Sequence, residues 1–288
     1  MSASRMRSLG AYRAALRAAR GAAGAALRLM PGTAATVREN LRLAFGHSDE
    51  ALVRRIYRHF GEAAVDLMFF SRLFDPLRLP EHFSFEGDGW SHYRKTNPSA
   101  AVFVTGHLGN WELYGAAFGH VGIPLDVVAR PLDQNFAARW LTRSRRRRGM
   151  HVLDKDAALP LALKSLRRGR CVAFLIDQAA GRHGVDVPFF GRPARTFTGP
   201  AALAHKLGLP LYAGYSTRLG DGIRYRCFAE PVAVTGDAEG DTAVLNRILE
   251  GYVRSRPEQW WWFHRRFKPP KKQRRGRALT PAGIPVQS

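Results

Sequence analysis

Apolar positions follow two rhythms along this chain. Through residues 35–74 they recur with helical spacing. The spacing predicts a short helix from Arg38 to Phe45 and a longer one from Glu50 to Leu73. In the longer one Leu52, Ile56, Phe60, Ala64, Leu67 and Phe70 share a stripe, and Pro76 and Pro80 stop it. After Gly87 short apolar runs alternate with helical stretches: AAVFVT (100–105) before WELYGAAFGH, PLDVVAR (124–130) before DQNFAARWLTRSRRRR, CVAFLID (171–177) before a loop, and LPLYAGYST (209–217) before YRCFAEPVAV. The alternation predicts an α/β fold with a central mixed, mostly parallel sheet flanked by helices. There is no repeat and no linker. Residues 1–85 are read as a helical arm of the same domain, 86–268 as the α/β core, and 269–288 as a basic, solvated and mobile tail.

Near the start, residues 9–30 are Ala-rich but interrupted by Arg13, Arg17, Arg20 and Arg28. The first three lie on one helical face, with Leu9, Tyr12 and Leu16 on another. Two arrangements fit: a helix lying in a membrane interface with its cations toward headgroups, or a surface helix packed on the domain. No stretch of about 20 uncharged apolar residues suggests a spanning helix.

With 288 residues, 45% hydrophobic and 24% charged, the chain can bury a real core, and wholesale disorder or a collagen-like scaffold is excluded. Two cysteines, Cys171 and Cys227, rule out a disulfide framework and fall inside strand-like runs, where packing explains them. Charge changes the picture. Lys and Arg number 45 against 23 Asp and Glu, a formal net charge of +22. Thirty-eight of the cations are Arg and seven Lys, a bias that genome composition can produce, but the net excess needs another account. It suits an anionic partner: nucleic acid, a membrane, a phosphorylated substrate or an acidic protein. Arg143 with Arg145 to Arg148, and the segment Arg265 to Arg277, supply much of the excess; a solvated helix end and a solvated tail are the plain alternatives.

In open α/β sheets ligands bind beyond the carboxyl ends of the strands. Three predicted strands deliver chemistry there. Gly106-His107-Leu108-Gly109-Asn110-Trp111-Glu112 follows the first, Arg130 ends the second, and Asp177-Gln178 end the third. On a regular helix His107 and Glu112 would stand roughly 140° apart and never meet. Gly106 and Gly109 permit a turn, however, and Asn110 is a good N-cap for a helix starting at Trp111. His107 could then fold back onto Glu112, whose carboxylate would fix the tautomer and free the other nitrogen as a general base. The competing reading is a capping histidine, with Glu112 present for the helix dipole. There is no HExxH and no nearby second His, so no metal is expected; no GxSxG elbow; and no Walker loop or convincing GxGxxG, so no nucleotide cofactor is expected. With no covalent nucleophile in view, the base would act on a substrate hydroxyl or amine.

These blocks resemble a known family. Thr105-Gly106-His107-Leu108-Gly109-Asn110-Trp111-Glu112 is similar to the HX4E motif of the lysophospholipid acyltransferase superfamily, and most of all to its bacterial lipid A biosynthesis (late) acyltransferases of lauroyl/myristoyl type. Arg130-Pro131-Leu132, the stretch from Asp177-Gln178 through Gly184 to Pro200, and Pro257 to Phe267 resemble further blocks in the same order, and Asn40-Leu41 resembles the N-terminal region. The resemblance spans roughly residues 10–268.

The resemblance implies a glycerol-phosphate-acyltransferase-like sandwich. It also implies transfer of a fatty acyl chain from acyl carrier protein or acyl-coenzyme A to a hydroxyl of a membrane glycolipid or phospholipid. A lipid A precursor is the expected acceptor, and another glycolipid, such as mannosylated phosphatidylinositol, is the alternative. Carried over, His107 is the catalytic base and Glu112 its partner, while Gly106, Asn110, Arg130, Asp177, Gln178, Thr198, His264, Arg265 and Arg266 contact substrate. No cofactor is implied beyond the acyl donor as co-substrate. The oxyanion would take backbone N–H groups near Gly106 to Asn110, or Arg130. The setting is the cytoplasmic face of the bacterial inner membrane, held peripherally, because the N-terminal segment is short and studded with Arg where many relatives carry a clear membrane helix. Acyl carrier protein and an anionic leaflet would be partners of the basic surface, and Trp260, Trp261 and Trp262 could anchor it or pack in the core. Two rivals remain: a nucleic-acid-binding protein, for which no reader motif is found, and a non-catalytic lipid-binding module on the same fold.

Overall fold

The computed structural model describes residues 3–74, 79–129, 136–147, 150–181, 184–220 and 222–267. Three helices lead: α1 (Ala3–Leu29), α2 (Pro31–Phe45) and α3 (Glu50–Leu73). Their ends follow local chemistry. Pro31 opens α2 where no amide hydrogen is needed, Gly46 closes it at φ 82°, and the Asp49 carboxylate caps α3 by accepting from the amides of Ala51 and Leu52. Next come α4 (Leu79–His82), β1 (Phe83–Glu86), α5 (Asp88–Thr96), β2 (Val102–Thr105), α6 (Trp111–His120), β3 (Leu125–Ala129), α7 (Phe136–Arg147) and β4 (His151–Asp154). The chain continues through α8 (Ala158–Leu166), β5 (Cys171–Leu175), β6 (Val185–Phe189), β7 (Arg192–Thr196), α9 (Gly199–Leu207), β8 (Leu211–Arg218), β9 (Tyr225–Val232) and α10 (Ala238–Ser255).

Seven strands form one mixed sheet in the order β1-β9-β8-β2-β5-β3-β4. Only the β8–β9 pair is antiparallel. Both faces are covered, so the central strands read as continuous apolar runs: every residue of β2 and β8 is buried. The pleat divides them between two cores. Val102 and Val104 join α8, α9, α10 and the first half of α3, while Ala101 and Phe103 join α1, α5 and α6. The expected α/β sheet is therefore present.

The structure decides the question of the N-terminal helix. Tyr12, Leu16 and Ala23 of α1 are buried against the domain. The Tyr12 hydroxyl donates to Asp66 at 2.7 Å and Arg20 pairs with Glu62 at 2.5 Å, both on α3. The apolar face of α1 is thus used by protein. Among the described residues, no helix is long and apolar enough to cross a membrane.

Four strands were not foreseen. β1 and β4 are four residues long and carry polar side chains, too short to show a period. β6 and β7 form a separate hairpin in which Pro188 stands opposite Pro193, a composition that reads as loop.

Candidate active site

His107 lies two residues beyond β2 and Asp177 two residues beyond the adjacent parallel strand β5, so the sheet sets both on one rim. Their side chains meet. The His107 Nδ1 lies 2.7 Å from Asp177 Oδ1, and the His107 amide donates to Asp177 Oδ2 at 2.6 Å. Trp260 donates its indole N–H to the same Oδ2 at 2.8 Å. Gly106 makes this closure possible: a Cβ there would stand 2.9 Å from Asp177 Oδ2. Asp177 is fully buried. Burial alone would push its pKa up, but the His107 imidazole and amide, together with His264, outweigh burial and hold the carboxyl well below the usual carboxylate range. An ionised Asp177 can only accept. The ring therefore carries its hydrogen on Nδ1, and the lone pair is on Nε2. The Gln178 side-chain nitrogen lies 3.5 Å from that Nε2.

The expected pairing of His107 with Glu112 is corrected by this geometry. Both Glu112 oxygens take the Arg145 guanidinium of α7, Oε2 from Nε at 2.9 Å and Oε1 from a terminal nitrogen. The ion pair is largely buried, with side chains 11% and 8% exposed. Glu112 lies in the first turn of α6, and its charge ties α6 to α7.

Between these helices and the strand ends opens a narrow apolar cavity of about 90 Å3. Phe103, Phe118, Leu125, Val127, Met150 and Leu175 line it, and His107, Glu112 and Arg145 are among the polar residues of its wall. Gly115 keeps it open on the α6 side, since a Cβ there would meet the Met150 sulfur at 2.5 Å.

The loop between β2 and α6 is held from α3. Gly109 sits at φ 63°, where a Cβ would run into the Ser216 carbonyl oxygen at 2.2 Å. His59 Nε2 lies 3.2 Å from the Gly109 carbonyl oxygen. Burial pushes His59 down to about 4, so it is neutral at pH 7 and donates that bond. Asn110 caps α6 by accepting from the Leu113 amide at 3.2 Å and donates to the Ala63 carbonyl at 3.0 Å. The N-cap is as the spacing predicts, but the side chain is buried and engaged inward, which removes it from the substrate contacts the resemblance implied. The amides of His107 and Gly109 are also engaged, the second by the Gln259 carbonyl at 2.9 Å, so neither is free for an oxyanion.

A family model for bacterial lipid A biosynthesis acyltransferases matches residues 6–269. The chain belongs to this family. Among curated relatives, a phosphatidylinositol mannoside acyltransferase of Mycolicibacterium smegmatis is 27% identical over 164 residues, 56% of this chain and 54% of the relative. A protein of the same description from Mycobacterium tuberculosis is 26% identical over 164 residues, 56% and 52% respectively. The match thus spans about half the length of these relatives.

Within this acyltransferase-family site the other expected contacts divide. His264 stands behind the dyad, with Nε2 2.7 Å from the Asp177 carbonyl oxygen and Nδ1 2.8 Å from that of Trp261. Arg266 is fully buried and cannot reach a substrate from outside. It donates to the Arg195 carbonyl at 2.8 Å and to the Thr196 hydroxyl at 2.7 Å, and burial pulls it down to about 10. Thr198 precedes α9 without a side-chain cap bond, and Arg265 is exposed beside a groove with Glu39 and Arg42 of α2. Arg130 and the tail from residue 268 lie outside the described residues.

Trp260 and Trp262 are fully buried and Trp261 half-buried; Trp260 is extended and bridges to Leu108, and the chain turns at Trp262. Asp66, Glu62 and Arg218 were not foreseen. Arg218 Nε donates to Asp66 at 2.7 Å and a terminal nitrogen to Glu62 at 3.1 Å, fastening α3 over the end of β8. Asp66 and Glu62 lie 152 and 156 positions from Arg218, and nothing local in the sequence signals them.

Proposed function

We propose that the protein is a glycolipid O-acyltransferase that moves a fatty acyl chain from a thioester donor to a hydroxyl of a membrane lipid by direct transfer. The observation that carries this reading is an imidazole, held by a buried ionised carboxylate, at the mouth of an apolar cavity. His107 Nε2 takes the acceptor hydroxyl proton as that oxygen attacks the thioester carbonyl carbon. The tetrahedral intermediate collapses, the C–S bond breaks, and the departing thiolate receives the proton from the His107 imidazolium. Asp177 stabilises that imidazolium. Gln178, whose amide nitrogen stands beside His107 Nε2, is the candidate donor to the oxyanion. The cavity between α6, α7 and the sheet takes the acyl tail.

The family description favours a lipid A precursor as acceptor, and the relatives' names favour a mannosylated phosphatidylinositol; both are glycolipids whose reacting group is a sugar hydroxyl. Acyl carrier protein or coenzyme A would carry the chain, and the reaction would take place at the cytoplasmic face of the inner membrane. Lipid mass spectrometry of the host with and without the protein tests the reading. Loss of one acyl mass from a glycolipid, restored by the wild-type chain and not by His107→Ala, supports it and names acceptor and chain. An unchanged glycolipid profile would overturn it.

A further inference from the structure

One continuous aromatic ridge starts at the reaction centre and has no part in the proposed chemistry. The His107 ring packs edge-on against Trp111 with centroids 4.7 Å apart. Trp111 meets Trp261 at 5.7 Å, and Trp261 meets Phe60 at 4.8 Å and Phe263 at 4.7 Å. Phe263 then meets Tyr57 at 5.1 Å. Three segments contribute: α6, α3 and the stretch after α10. Trp111, Trp261, Phe60 and Phe263 are each only half-buried, whereas the neighbouring Trp260 and Trp262 are fully covered. The fold thus seats two tryptophans of the WWW run and brings the third out.

Exposed arginines lie near the ridge residues along the chain. At the Trp111 end, α7 carries Arg143 and Arg146 on either side of the Arg145 that pairs with Glu112. Arg54 is exposed one turn before Tyr57, and Arg265 is exposed two residues after Phe263. Arg38, also near Tyr57, is balanced by Glu50 at 2.6 Å. Half-exposed tryptophan and phenylalanine beside cations match the headgroup layer of a bilayer, where indole rings settle and each Lys or Arg gains from an anionic leaflet. A chain of +22 is suited to the same surface.

We infer that the ridge Trp111–Trp261–Phe60–Phe263, with Arg54, Arg143, Arg146 and Arg265 around it, is the face on which the protein rests on an anionic phospholipid bilayer, so that the mouth beside His107 opens into the headgroup layer. The inference deepens the acyltransferase reading, which requires a lipid acceptor that stays in its membrane, but its test is independent of that reaction.

The full chain, in a Trp140→Phe background, is mixed with vesicles of phosphatidylcholine and phosphatidylglycerol that carry brominated acyl chains and contain neither donor nor acceptor. Tryptophan fluorescence is quenched on binding. Trp111→Phe with Trp261→Phe, with folding checked by circular dichroism, keeps vesicle binding and loses most of the quenching, because Trp90, Trp260 and Trp262 are buried. Arg143→Gln, Arg146→Gln and Arg265→Gln together weaken binding by about a hundredfold, at about fivefold per cation. No binding to the vesicles, quenching unchanged in the double tryptophan variant, or binding unaffected by the arginine changes would each overturn the assignment; the last two would point to another face or to a protein partner for the ridge. Intact quenching in a protein without acyl transfer would sink the proposed reaction and leave the docking face standing.

Discussion

Asp177→Asn is the sharpest perturbation of the site because it keeps shape and removes charge. Three donors converge on the carboxylate: the His107 Nδ1–H on one oxygen, the His107 amide and the Trp260 indole on the other. An asparagine offers one acceptor and one donor group. If its oxygen takes the place of Oδ2, the amide and indole bonds survive, and the NH2 points at His107 Nδ1. The ring must then shed the Nδ1 hydrogen and carry it on Nε2, which abolishes the base. In the reverse orientation the NH2 faces two buried N–H groups, and each unsatisfied donor costs roughly 1–3 kcal/mol. The first orientation therefore wins, and the variant is locked in the wrong tautomer with little damage to the fold. A comparable change in a Ser-His-Asp site lowers kcat by about 10⁴, or roughly 5.5 kcal/mol of transition-state stabilisation. Thiol release from the donor, followed under single-turnover conditions with the thermal midpoint recorded alongside, measures both effects. Activity within about tenfold of wild type in Asp177→Asn would refute the dyad.

Glu112→Gln and Arg145→Met should each destabilise by about 3–5 kcal/mol, because each leaves a buried charge unpaired, while the double variant should lose less than the sum; denaturant midpoints of the four proteins measure the coupling. His59 is held at about 4 by burial and titrates near 6.5 when unfolded, so between those values the unfolded chain binds more protons. The neutral His59 thus costs stability as pH falls from about 6.5 toward 4, by roughly 3 kcal/mol in all, and His59→Gln should flatten that part of the stability–pH curve; an identical slope in both proteins would count against it. Gly115→Val should push into Met150 and shorten the preferred acyl chain, and Met150→Ala should lengthen it. Each methylene gained or lost is worth about 0.8 kcal/mol, or roughly fourfold in apparent affinity, read from competition between donors of different length.

Strands β2, β3, β5 and β8 are legible in the chain because a doubly covered sheet demands apolar runs with helices between them, and β9, which returns antiparallel beside β8 without a helix, is legible only as a strand-like run around Cys227. β1 and β4 are too short to show that pattern, and the hairpin of β6 and β7 hides behind its prolines. His107 is legible from its glycines and from the Asn110 cap, since the turn they build is local. Its partner is not. Glu112 is five positions away and Asp177 seventy, and only the parallel pairing of β2 with β5 turns the second into the neighbour. Sequence proximity favoured the wrong carboxylate, although Asp177 stood on the rim that the strand ends define. Arg145 read as one cation in a basic run, yet Glu112 draws it into the cavity wall. Arg266 read as a ligand contact from its place in a family block, yet its guanidinium is buried among carbonyls and a hydroxyl.

The proposed acyl transfer rests on His107, poised by Asp177. Transfer of a radiolabelled acyl group from a thioester to extracted host glycolipid, by purified wild-type protein and by folded His107→Ala, tests it most directly. Labelled glycolipid is expected with the wild type and none above the enzyme-free blank with the variant; comparable labelling by both proteins would rule out His107 as the base.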